Sequence, residues 1–274
     1  MSRRAAIIAV CTTLAIACLA PALASAAGPK SVVMFGESGD YVAPGLRTYE
    51  GAKQVKLNGS SAGVSISVDG PNQRAFGFSM NFTPARDDLL APGSYSGAQR
   101  SSFRDSGRPG IDISGDGRGC NTQAGRFIVK DLGLTASGRV NRLWLLFEQR
   151  CEGGRAALFG EVKVGVPPRP GPLRATPSAL RWPDRRVGQR GTTVPLTFVA
   201  RRAVTPGRAA LRGSGRRAFT VTANRCRGRR LATGDRCQVY VRFTPRRKAT
   251  ARATLSLQGM GSAARIALTG GTPR

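Results

Sequence analysis

The stretch Gly234-Asp235-Arg236-Cys237-Gln238-Val239-Tyr240-Val241-Arg242-Phe243-Thr244-Pro245 decides how the rest of the chain is read. Cys237, Val239, Val241 and Phe243 fall on one side of an alternation, and Gln238, Tyr240, Arg242 and Thr244 on the other. A period of two belongs to a strand with one buried face, because successive side chains of a pleated backbone point to opposite sides. Gly234-Asp235 opens the run as a turn, and Pro245, which has no N–H to give a ladder, closes it. Cys226 lies upstream beyond an arginine-rich loop. The stretch predicts a core strand stapled to its neighbour in a small β-sandwich. It points to no reaction.

Working outward, 274 residues are enough for about two domains of ordinary size. The 35 glycines and 17 prolines favour many turns over long helices. The chain has no histidine. That excludes a Ser-His-Asp triad, a Cys-His pair and His-ligated zinc or haem. Catalysis would have to rest on carboxylates, lysine, tyrosine or a bound ion, so a non-enzymatic protein without a cofactor is expected.

Residues 1–26 read as a cleaved export signal. Arg3 and Arg4 precede an apolar run from Ala5 to Leu19, and Ala24-Ser25-Ala26 is a small-x-small cleavage site. Pro21 interrupts the run, which is short for a membrane span, and the mature chain is expected to have none. Leu14-Ala15-Ile16-Ala17-Cys18 offers Cys18 as an alternative lipidation site, with Ala15 where a larger aliphatic residue is usual. Four cysteines remain after the signal: Cys120, Cys151, Cys226 and Cys237. An even number in an exported chain suggests disulfides. Three pairings are possible, and Cys120–Cys151 with Cys226–Cys237 requires the least. The spacings are not those of a CxxC zinc or redox site.

Residues 27–165 read as a first β-sandwich. Strands are expected at Val32–Phe35, at Val64–Val68, along Phe76, Phe78, Met80 and Phe82, around Ile111 and Ile113, and at Arg126–Leu132, Val140–Glu148 and Ala156–Val164. Asp112, Ser114 and Asp116 stand at alternate positions before Gly117, as in the first half of a calcium loop. The pattern departs where a bidentate glutamate belongs, since Gln123 stands there, and the competing reading is a tight turn held by Asx hydrogen bonds. Glu148, Glu152 and Glu161 are further carboxylates, and two of them flanking a glycosidic bond would make a hydrolase. Trp144 reads as a core residue or as a sugar-stacking platform.

The motifs Arg108-Pro109-Gly110, Gly115-Asp116-Gly117-Arg118-Gly119-Cys120-Asn121-Thr122 and Phe147-Glu148-Gln149-Arg150-Cys151-Glu152-Gly153-Gly154 resemble a module of exported bacterial proteins. The resemblance implies that Cys120 pairs with Cys151. It implies no activity.

Residues 166–173, with Val166-Pro167-Pro168-Arg169-Pro170-Gly171-Pro172, read as a proline-rich, semi-rigid linker. Residues 174–274 are the second domain. Its strands are expected at Ala179–Trp182, Thr193–Ala200, Ala218–Thr222, Gln238–Phe243, Ala253–Leu257 and Ile266–Leu268. Leu180-Arg181-Trp182, Val187-Gly188, Thr192-Thr193, Phe219, Cys226 and above all Gly234-x-x-Cys237-x-Val239-x-Val241-x-Phe243-x-Pro245 resemble the immunoglobulin-like module of the hydin/ASH class, called choice-of-anchor D in exported bacterial proteins. Ala253–Leu257 and Ile266–Gly270 extend the match. The resemblance implies a seven- or eight-stranded sandwich, a Cys226–Cys237 disulfide and a scaffolding or interaction role without catalysis. The sequence departs at Phe198-Val199-Ala200-Arg201-Arg202-Ala203, where the module usually turns through Asn-x-Gly.

Charge divides the chain. Residues 167–274 hold 24 Lys and Arg against two acids, whereas residues 27–166 hold 17 against 13. The alternative reading is compositional: a coding bias toward arginine would give the same surplus without any binding role, although it should enrich both segments and the first is nearly balanced. Arg201, Arg202, Arg212, Arg216, Arg217, Arg225, Arg227, Arg229, Arg230, Arg246, Arg247 and Lys248 cluster near the expected turns. Loops sharing one end of the sandwich would make a positive surface that attracts phosphates or carboxylates with a steep salt dependence. No helix or aromatic platform suited to reading bases is evident. The expected partners are therefore acidic envelope polymers, lipid headgroups or extracellular DNA without sequence reading, with a protein partner also possible. The sequence predicts an exported, disulfide-stabilised, two-domain all-β protein that binds or scaffolds at the cell envelope. The alternative is a carbohydrate-active or calcium-dependent first domain using Asp112, Asp116 and Glu148 or Glu161.

Overall fold

The computed structural model of the chain describes residues 29–70, 77–259 and 261–273. The expected signal peptide, Cys18 and Phe76 lie outside these residues. Among them the chain is all-β, and its helical content is two 3-10 turns at Ser101–Phe103 and Arg216–Ala218. No helix among the described residues is long and apolar enough to cross a membrane.

The first ten strands are β1 (Ser31–Gly36), β2 (Gly45–Glu50), β3 (Val55–Ser60), β4 (Gly63–Val68), β5 (Phe78–Thr83), β6 (Gly93–Arg100), β7 (Gly110–Gly115), β8 (Gln123–Leu134), β9 (Val140–Cys151) and β10 (Leu158–Val164). They form one sheet in the order β2-β1-β10-β9-β8-β6-β7-β5-β4-β3. Alternation explains the inner face: Ile66 on β4 pairs with Met80 on β5, which pairs with Ile113 on β7, and all three are buried. The hydrogen bonding runs unbroken from β2 to β3 instead of dividing into two sheets. The sheet folds over, bringing β3 against β9, so Val32 and Met34 share one core with Ile66, Phe82 and Phe127. A sandwich or near-barrel encloses its core in this way.

The remaining strands are β11 (Leu173–Thr176), β12 (Ala179–Arg181), β13 (Thr193–Ala200), β14 (Ala209–Arg212), β15 (Phe219–Asn224), β16 (Arg236–Phe243), β17 (Ala251–Gly259) and β18 (Ser262–Gly270). They make two four-stranded sheets, β11-β13-β16-β15 and β12-β18-β17-β14. On β16 the alternation is met residue by residue: Cys237, Val239, Val241 and Phe243 are buried and Gln238, Tyr240 and Arg242 are not. Phe243 lies against Phe219 with the rings tilted and their centres 5.2 Å apart, and Phe219 meets Trp182 edge-on with ring centres 5.6 Å apart. Gly270 makes room for this cluster, since a Cβ there would stand 2.5 Å from Phe243 Cζ. Gly234, at φ +92°, supplies the left-handed turn that starts β16.

Two disulfides join Cys120 to Cys151 and Cys226 to Cys237. Beside the first, Glu152 accepts hydrogen bonds from Asn121 N at 2.5 Å and Thr122 Oγ1 at 2.8 Å. These bonds, that of Thr122 foremost, hold its carboxyl below the usual glutamate range.

The last residue of the expected linker, Leu173, opens β11 opposite Ala200 and is buried. The second core is not confined to the residues after it. Val33 and Phe35 of β1, Ala157, and Phe159 of β10 belong to the same buried cluster as Trp182, Phe198 and Phe243.

Candidate functional site

One register row across the outer face of the first sheet builds the site. Ser96 on β6 pairs with Arg126 on β8, Arg126 with Glu148 on β9, Glu148 with Phe159 on β10, and Phe159 with Phe35 on β1. The Phe35 end of this row lies in the second core. The Glu148–Arg126–Ser96 end lines an open cleft of about 1480 Å³ between the first sheet and the second part of the chain.

Carboxylates of the first part fasten the two parts together. Glu37 forms an ion pair with Arg185 and accepts the Thr192 hydroxyl at 2.9 Å. Glu50 takes Arg174 at 2.9 Å and Arg236 at 2.8 Å. Burial presses the Glu50 carboxyl upward, but the hydrogen bonds and charges of these two arginines outweigh it and hold it below the usual range. Glu161 is buried and accepts four hydrogen bonds: Trp144 Nε1 at 2.7 Å, Ser178 N and Oγ at 2.8 Å, and Ala179 N at 2.9 Å. Burial pushes its carboxyl up, against the opposing pull of Ser178. Trp144 is thereby held by its indole N–H and flanked by Lys130 and Lys163, each about 5 Å from the ring centre.

The cleft floor is a five-residue network. Arg126 pairs with Glu148 and donates to Asp184 of the second part at 2.7 Å. Arg181 donates to Asp184 at 3.0 Å and lies 3.8 Å from Glu148, which Arg150 also meets at 2.7 Å. Burial presses the Arg181 guanidinium down, and the neighbouring positive charge of Arg126 adds to it. Burial also works to lower Arg126, but Glu148 and Asp184 more than offset this and raise it. Asp184 follows the pattern of Glu50: burial works to raise it, and Arg126 and Arg181 hold it below the ordinary range.

Around this floor stand Arg155, Arg186, Arg190 and Arg252, all exposed. Among the described residues none of the four has a carboxylate partner within ion-pair distance. In total eight arginines and three acids, Glu37, Glu148 and Asp184, line the cleft.

The twelve cations expected at the loops fall into two groups. Arg201, Arg202, Arg225, Arg227, Arg229 and Arg230 lie where β13 and β15 end and β16 begins. Arg212, Arg216, Arg217, Arg246, Arg247 and Lys248 lie at the opposite end, where β15 begins and β16 finishes. The eight residues of β16 separate the groups by roughly 25 Å. The structure thus brings half of the set to each pole. Eleven of the twelve are exposed, Arg201 is half-buried, and none has a carboxylate partner among the described residues. Arg246 instead donates to the Arg217 carbonyl at 2.7 Å, and Arg225 lies over the Tyr240 ring.

Asp112 and Ser114 lie on extended β7, where Asp112 accepts Gln123 Nε2 at 2.9 Å and stands 3.6 Å from Arg100. Asp116 follows in a left-handed turn at φ +51°. A strand sets these oxygens in a line instead of wrapping them round a point. Among the described residues no three His, Cys, Asp or Glu side chains are grouped to hold a metal. Of Asp112, Asp116, Glu148 and Glu161, Glu148 alone lines the cleft.

No family model and no curated protein matches the chain. Among solved structures, the VesB protease of Vibrio cholerae is similar at 12% identity and a TM-score of 0.31, over 89% of this chain and 96% of that one. A likeness of that size carries no argument about fold or activity.

Proposed function

We propose that this chain is an exported, two-domain binding and scaffolding protein of the cell envelope that contacts acidic polymers through a basic, immunoglobulin-like second domain. The observation that carries the reading is the set of twelve cations on the second part that have no carboxylate partner among the described residues. Cations without counter-charges, on loops at both poles, gain most from an anionic partner and release its counterions on binding. Two facing four-stranded sheets and the Cys226–Cys237 bridge support the immunoglobulin-like assignment.

The test uses the full chain, because the two parts share a core. Binding to duplex DNA, a polyuronate and anionic vesicles is measured across a salt series, with R227A/R229A/R230A as the comparison variant. Wild-type affinity should fall steeply with salt, and the variant's log–log slope should be shallower by about two to three. Absence of binding to DNA, polyuronate and vesicles alike at low salt would refute the reading.

A further inference from the structure

The cleft differs from the poles in shape, support and chemistry. At about 1480 Å³ it exceeds the roughly 300–1,000 Å³ of a site for one small molecule. Its lining carries five more arginines than acids. The acids are already paired with Arg126, Arg150, Arg181 and Arg185, so the charge left for a ligand sits on Arg155, Arg186, Arg190 and Arg252. Arg181 in the floor and Arg252 at its edge are register-locked, since both pair with Thr269 of β18. A rigid wall lowers the ordering cost of gripping an anion, and each guanidinium offers a carboxylate or sulfate two parallel donors.

Hydroxyls line the same cleft, with Ser94 and Ser96 on the first sheet and Thr192 and Thr269 on the second part. A hydroxyl both donates and accepts, which matches the hydroxyls of a sugar. The one aromatic in the lining, Phe127, is buried and presents no face for stacking. Single-stranded nucleic acid depends on such faces for about 1–3 kcal/mol per base.

We propose that the cleft between the two parts binds a segment of an acidic polysaccharide, a chain of uronate or sulfated sugars, through Arg155, Arg186, Arg190 and Arg252. This rests on the reading of the chain as a polyanion binder and assigns its selective site to the cleft, leaving the poles as general electrostatic surface.

The test is titration of the full chain with a galacturonate hexamer, a sulfated hexasaccharide, the uncharged hexasaccharide and a single-stranded DNA of equal charge. The cleft variant is R155A/R186A/R190A/R252A and the pole variant R227A/R229A/R230A. All seven positions are exposed, and circular dichroism with a melting curve verifies that each variant is folded. The expected result is a loss of at least tenfold in affinity for an acidic hexasaccharide in the cleft variant, less than twofold in the pole variant, and no binding of the uncharged sugar. Preference for the uronate or for the sulfated sugar distinguishes the two sources of charge, and either supports the proposal. An unchanged cleft variant alongside a tight-binding wild type would overturn the cleft assignment and leave the broader reading standing. DNA bound as tightly and lost in the same variant would overturn the polysaccharide assignment. Failure of every polyanion at low salt would remove both.

Discussion

Arginine is held in two ways on the same small sandwich. Where the second part meets the first sheet, Arg126, Arg181 and Arg185 are half-buried and tied to Glu148, Asp184 and Glu37. At the poles, Arg227, Arg229, Arg230, Arg246 and Arg247 stand exposed without such partners among the described residues. The difference teaches that a surplus of one residue type need not mean one job. The nearly neutral first part supplies the carboxylates that turn some arginines into structure, and what the acids do not reach remains available to a ligand.

The sharpest way to break this comparison is to attack the contact zone itself. Phe159 is fully buried in the core of the second part although it belongs to the first sheet. Phe159→Ala should lower stability by about 3–5 kcal/mol in chemical denaturation. A loss below about 1 kcal/mol would mean that the two parts do not share a core.

Acid should sharpen it next. Asp184 and Glu50 have pKa values held below their ordinary 3.8 and 4.5, so the stability they contribute is present above those values and is lost as pH falls through the folded ones. Glu161 and Asp40 are pushed up, Asp40 chiefly by burial, so they act in the opposite sense. Folding is favoured below their unfolded values and weakened as pH rises through the folded ones. Melting temperature should therefore pass through a maximum in mild acid, at about pH 4–5. Glu161→Gln should flatten the neutral side of that curve, and Asp184→Asn the acid side. A monotonic rise from pH 3 to 7 in the wild type would contradict the assignment.

The smallest effect is expected at the poles. R227A/R229A/R230A should leave stability within about 0.5 kcal/mol per site, as surface substitutions do. A larger loss would show that these side chains also serve as structure.

Alternation made much of the fold legible. Val64–Val68, Phe78–Phe82 and Gln238–Phe243 read as strands because their buried residues recur every second position. β2, β3 and β6 carry no such signal: each buries a single residue, Tyr49, Val55 and Ala98, so no period shows. β11 and β14 are four residues long and leave no room for one. The cleft was hidden for a different reason. Its arginines come from β8, β9, β12, β17 and the loops 152–157 and 182–192, and docking alone assembles them. A signal did exist in Phe147-Glu148 and Gly160-Glu161-Val162, where an acid sits inside an apolar strand and calls for a partner from elsewhere.

The apolar face made by Val33, Phe35, Ala157 and Phe159 bears on how portable the second part is. Cut at the prolines and grafted onto another carrier, it would travel with an uncovered hydrophobic seat. A recipient would have to bring its own pair of strands to fill that seat. The piece that can be moved as a module therefore runs past the proline-rich segment and includes β1 and β10, the two strands whose outer side closes its core.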